Sequence, residues 1–197
     1  MSNLPWAGLQ DPVHDSQQAF RIALDAMARP ARPQAAGQPI PRLPLGAAMA
    51  HLLLALADED TPVWWQQDEA GLRYWLRFHT GAPSTDDAGA AAFAVVTDPA
   101  RMPPLDRFRN GSAAAPEQSC TLLLEVPALD GGTALHAHGP GIQHRETLSV
   151  AGLPDAFWPQ WQASHAGFPQ GVDLFFTCGA QLLALPRSTR VGRLEEA

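Results

Sequence analysis

Apolar and polar positions follow two different periods along this chain, and the changes between them mark its elements. Phe20, Ala23, Leu24 and Met27 recur at i, i+3, i+4 and i+7, the spacing of one helix face, and the run stops before Pro30. Asp15 is the expected N-cap of that helix. Prolines at 33, 39, 41 and 44 make residues 31–44 an extended surface connection. Residues 45–57, LGAAMAHLLLALA, have the length and alanine content of a buried helix, closed by Asp58-Glu59-Asp60-Thr61 and Pro62. A strand over 63–66 should follow. Leu72, Tyr74, Leu76 and Phe78 then alternate with Arg73 and Arg77, a period of two that predicts a half-buried strand ending at His79.

Residues 92–97 (AFAVVT) and 121–126 (TLLLEV) are short apolar runs bounded by turn residues, the pattern of strands covered on both faces. Residues 133–138 and 144–150 flank Gly139-Pro140-Gly141 and predict two strands joined by a tight connection. A helix is expected over 155–166, and a hairpin over 172–177 and 182–185, its second strand ended by Pro186. The expectation is an α/β fold: a single domain with a mixed sheet flanked by helices, over residues 14–191, after an irregular segment 1–13 and before a polar, frayed tail 192–197.

Charge narrows the function. Thirteen basic against twenty acidic residues give a formal charge of −7, which argues against a nucleic-acid footprint. All thirteen basic residues are arginine. Without lysine there is no Schiff base to pyridoxal phosphate, no Walker A loop and no Ser-Lys dyad. Cys120 and Cys178 lie in apolar runs without CxxC spacing and read as reduced thiols, which points to the cytoplasm. The longest uncharged apolar stretch, residues 45–57, is shorter than the ~18 residues of a membrane span, and the first arginine is Arg21, so no charged secretory start is seen.

The signatures GxSxG, HExxH, GxGxxG and CxxC are absent from the sequence. His136 and His138 share one face of a predicted strand, with His144 across the turn, so three imidazoles are candidates for a metal, Glu146 being the nearest fourth ligand. Surface histidines on a hairpin are the plainer reading. Asp58, Glu59 and Asp60 are candidates for a general base or metal contact, or else cap a helix C-terminus, where their sign opposes the dipole. Arg21, Arg77, Arg145 and Arg187 lie beside apolar runs, and guanidinium forks grip phosphate and phosphonate oxygens bidentately, so an anionic small molecule is a natural ligand; structural ion pairs are the alternative. Gly139 and Gly141 would add backbone donors.

Taken in order, HDSQQAFRIALDAMARP (14–30), LADEDTPVWW (56–65), LRFHTGAP (76–83), FAVVTDP (93–99), GSAAAPEQSCTLLLEV (111–126), GPGI (139–142) and FPQGVDLFFTCGAQLLALPRST (168–189) resemble the PhnH family, whose members are components of the carbon-phosphorus lyase core complex. The resemblance runs from about residue 14 to 191. It implies a role in bacterial phosphonate breakdown, homodimers of the isolated protein, and a complex with subunits G, I and J. With G, I and the ATPase-like subunit L, that complex replaces the adenine of MgATP by a phosphonate, giving a ribose 1-phosphonate 5-triphosphate. No iron-sulfur cysteine set is present, so the chain is not the radical lyase of the system. The resemblance also implies a fold like that of pyridoxal-phosphate-dependent transferases without the cofactor, in keeping with the missing lysine. Arg21, Asp58, Asp60, His79, Arg187 and the Gly139–Gly141 turn fall on the shared motifs and are expected at ligand or subunit contacts; Arg21 and Arg187 would hold anionic oxygens, and His79 would donate a proton or hydrogen bond. His136 and His138 lie where the family does not require histidine.

Three readings stay open on the sequence: a subunit contributing to a phosphonate-processing transferase, a pure assembly protein without a ligand, and a stand-alone metal-dependent enzyme using His136, His138 and His144.

Overall fold

A computed structural model describes residues 6–67 and 70–193. In chain order its helices and strands are α1 (Pro12–Ala28), β1 (Gln34–Ala35), α2 (Ala47–Leu56), β2 (Val63–Trp65), α3 (Ala70–Thr80), β3 (Ser84–Thr85), β4 (Phe93–Val96), β5 (Thr121–Glu125), β6 (Gly131–His138), β7 (Glu146–Val150), α4 (Phe157–Ala166), β8 (Asp173–Cys178), β9 (Gln181–Leu185) and β10 (Arg190–Arg193). Seven strands form a mixed sheet in the order β1-β9-β8-β5-β4-β2-β3. Within it β3, β2, β4, β5 and β8 run parallel, and β8 and β9 form the expected antiparallel hairpin. Three further strands form a second sheet, β10-β6-β7.

The pleat sorts the central strands into two cores. Leu123, Phe175, Val95 and Ala184 point to one face, where α1, α2 and α3 cover them with Ala23, Met49, Leu53 and Trp75. Leu122, Leu124, Leu174, Phe176 and Leu185 point to the other, where α4 and the small sheet contribute Phe157, Trp161, Leu135 and Val150. Cover on both faces is why 93–96 and 121–125 read as continuous apolar runs.

The structure corrects several sequence expectations. Residues 72–78 are not a strand but lie in α3, which buries Leu72, Trp75 and Leu76 at i, i+3 and i+4 and leaves Tyr74 and Phe78 exposed. Two periods fitted that stretch; the parallel pairing of β2 with β3 decides between them, because a parallel neighbour needs a crossover. In α1 the cap is Asp11 rather than Asp15: Asp11 Oδ1 accepts from the His14 N–H, while Asp15 Oδ2 accepts from the Asp11 N–H, a reciprocal cap. The buried stripe is Ala19, Ala23 and Ala26, so Phe20 and Leu24 are 46% and 54% exposed. Small residues let α1 sit close on the alanine-rich start of α2, and that approach turns the larger residues outward. Residues 192 and 193, expected to lie in a frayed tail, complete β10 against β6. No helix among the described residues is long and apolar enough to cross a membrane.

Candidate functional site

The motif residues are spread over several elements rather than gathered at one point. Asp58 closes a turn after α2: its Oδ1 accepts from the Asp60 N–H at 3.1 Å and from Thr61 Oγ1 at 3.0 Å, and Thr61 Oγ1 accepts from the Asp58 N–H at 2.7 Å. Asp60 is exposed in that turn. His79 stands exposed in the last turn of α3, edge-on to Trp75 and Phe78, with its ring over Gly8. Arg21 projects from α1 beside Phe20 and makes no ion pair among the described residues.

Arg187 is engaged on every side. Its guanidinium binds the Asp173 carboxylate, Ser119 Oγ and the Pro116 carbonyl, and its backbone N–H donates to Asp173 Oδ1 at 2.8 Å. Its carbonyl accepts from His165 Nδ1 at 2.9 Å. Gly141, at φ +83°, lies where a Cβ would come within 2.1 Å of the Ala28 carbonyl, so this glycine fits the end of α1 against the small sheet. Gly139, at φ +146°, faces the Ser188 carbonyl, 3.0 Å from where a Cβ would stand.

His136 and His138 do share the outward face of β6, where Leu135 and Ala137 point inward. They are not joined by His144, and Glu146, the suggested fourth ligand, is held by Arg32 at 2.5 and 2.8 Å. Among the described residues no group of three or more His, Cys, Asp or Glu side chains is placed to hold a metal ion. Of the two thiols, burial pushes that of Cys120 far up, while Cys178 is only half-buried.

Two of the motif segments do converge. The Gly139–Gly141 turn, the start of residues 168–189 and the end of that same segment meet around an open cleft of about 660 Å³ lined by His138, Gly139, Phe168, His165, Ser188 and Arg190, among others. Register places Arg190 directly opposite His138 across β10 and β6. His165, from α4, receives the Arg190 Nε–H on its Nε2 at 3.0 Å. Arginine can only donate, so Nε2 is the accepting nitrogen and the ring proton sits on Nδ1, where it donates to the Arg187 carbonyl. Phe168 is 55% exposed at the rim, its ring 6.2 Å from that of His165.

A model of the family described as "Bacterial phosphonate metabolism protein (PhnH)" matches residues 7–192. The chain belongs to the PhnH family. Among curated PhnH relatives, the "Alpha-D-ribose 1-methylphosphonate 5-triphosphate synthase subunit PhnH" of Rhizobium meliloti (strain 1021) is 40% identical over 188 residues, 93% of each chain. The "Putative C-P lyase subunit protein HtxG" of Stutzerimonas stutzeri is 40% identical over 83 residues, 42% of this chain and 43% of its own. Sequence reasoning singled out His138 (as a metal candidate), Gly139 and Arg187 of this PhnH site but not His165 or Arg190, which meet only because α4 packs beside β10. Phe168 and Ser188 carried a signal, since both lie inside the last motif segment.

Proposed function

We propose that this protein is a subunit of the carbon-phosphorus lyase system, supporting formation of a ribose 1-phosphonate 5-triphosphate from MgATP and a phosphonate in a cytoplasmic assembly. What carries this reading is the end-to-end match to a synthase subunit, 40% identical over 93% of both chains. MgATP enters as a substrate of the assembly, and the absence of lysine leaves no site for a pyridoxal phosphate Schiff base.

The partners in this reading are a second copy of the chain and subunits G, I and J, with the ATPase-like subunit L acting alongside. Exposed Phe20 and Leu24 on α1, with Arg21 between them in sequence, are the surface best suited to such a contact, since large apolar residues grouped on an outer helix face mark interfaces. Co-expression of the tagged chain with G, I and J, followed by mass measurement in solution, tests the reading. A four-component complex that converts MgATP and methylphosphonate once subunit L is added is the expected result; a dimer that ignores those partners would overturn it.

A further inference from the structure

The cleft between the small sheet, the end of α4 and the Phe168 loop has the composition of an anion site. Arg190 and His138 stand opposite each other on neighbouring strands, Ser188 also lines the cleft, and no carboxylate of the described residues does. In a chain with seven more acidic than basic residues, a cleft that carries Arg190 and no acid among its described lining residues is a local reversal of sign.

Its geometry is held from behind. The Asp173 carboxylate and Ser119 fix Arg187; the Arg187 carbonyl fixes the His165 ring through Nδ1–H; and His165 Nε2 takes the Arg190 Nε–H. Arg190 lines the cleft and its Nε–H is tied down, while its terminal N–H groups make no hydrogen bond among the described residues, so they remain as a fork for two oxygens of one anion. The chain of orienting bonds lowers the ordering cost that a long exposed arginine otherwise carries into binding.

We propose that this cleft binds a tetrahedral oxyanion, phosphoryl or phosphonyl, through the Arg190 guanidinium, His138 and the Ser188 hydroxyl, with the substituent of that anion lying on the exposed ring of Phe168. Arg187 and His165 are positioning residues in this arrangement. The site stands in the isolated chain and does not depend on the subunit reading; only the choice of a phosphonate over a phosphate ester as its occupant rests on that reading.

The test is a titration of the full-length protein with inorganic phosphate, methylphosphonate and MgATP, following the arginine Nε–H and histidine ring resonances by NMR. The Arg190→Met variant assigns the Arg190 signal. Saturable shifts at Arg190 and His138 are expected with at least one of the three anions, and Arg190→Met should weaken that binding about tenfold or more. The melting temperature of Arg190→Met should stay that of the parent, which separates lost binding from lost fold. Phe168→Ala should weaken the substituted anion and leave inorganic phosphate unchanged. Preference for methylphosphonate over MgATP identifies a phosphonate source, and the reverse a phosphate ester. Absence of saturable shifts into the millimolar range, or equal affinity in a folded Arg190→Met, would overturn the site even if the complex with G, I and J forms.

Discussion

Replacing Arg187 with methionine separates two roles for this motif residue, one as a gripper of a ligand and one as an internal bracket. The guanidinium serves three acceptors, the Asp173 carboxylate, Ser119 Oγ and the Pro116 carbonyl, and so ties β8 to the turn that precedes β5. The Arg187 and Asp173 side chains are only 16% and 18% exposed. Methionine fills much of the space but leaves the Asp173 charge with the backbone N–H of residue 187 as its remaining partner. Removing one member of a buried pair costs about 3–5 kcal/mol, and partial contact with water favours the lower end, about 3 kcal/mol. For a chain of this size that corresponds to a fall in Tm of about 6–12 °C. Thermal and urea unfolding followed by circular dichroism measure it, and Asp173→Leu combined with Arg187→Met should recover a large part of the loss, because the orphaned charge is then gone. A folded Arg187→Met whose Tm stays within about 2 °C of the parent while oxyanion binding disappears would refute the bracket and make Arg187 a ligand contact.

Glu125, at the end of β5, offers a pH test: burial, above all, holds its carboxyl above the ordinary 4.5, against the lowering influence of hydrogen bonds from Thr177 and Gly179. The folded chain therefore keeps this proton to higher pH than the unfolded chain, so its contribution is fully present at acid pH and is lost as pH rises from about 4.5 through the folded value. Urea midpoints measured from about pH 4 to pH 7 should fall less in Glu125→Gln than in the parent, and identical slopes would count against the shift. Gly141→Ala should cost more than the about 1–3 kcal/mol of a strained backbone, because its Cβ meets the Ala28 carbonyl; Gly179→Ala, at φ +57° with nothing within 4 Å, should cost about 1 kcal/mol. Equal urea midpoints for the two variants would remove the clash argument. The double variant Phe20→Ser, Leu24→Ser should change stability by no more than about 0.5 kcal/mol per site while reducing co-purification of partner subunits; undiminished co-purification would move the contact to another surface.

Legibility of the fold depended on how many periods a segment could satisfy. Residues 93–96, 121–125 and the 173–185 hairpin carry near-continuous apolar runs, which only a strand covered on both faces tolerates at that length, and each was readable at once. Residues 70–80 satisfied both a strand and a helix, since Leu72 and Leu76 serve either pattern; Trp75 decides for the helix only once β2 and β3 are known to be parallel neighbours. Along α1 the same ambiguity was one of rotation, and the alanines of α2 chose the face.

The chemistry divides in the same way. By itself the sequence determined what cannot occur here, lysine chemistry above all, because an absent side chain is absent in every conformation; it also determined the family, because ordered motifs survive without coordinates. It marked Arg187 and Gly139, since each sits within a recognisable local pattern. Only the tertiary structure decided that Arg187 turns inward to Asp173, and that His165 and Arg190, 25 positions apart, share a hydrogen bond. The reason is physical: a guanidinium goes where its acceptors are, and those acceptors come from β8, the turn before β5 and α4, elements whose meeting is set by the packing of two sheets and four helices rather than by any local spacing.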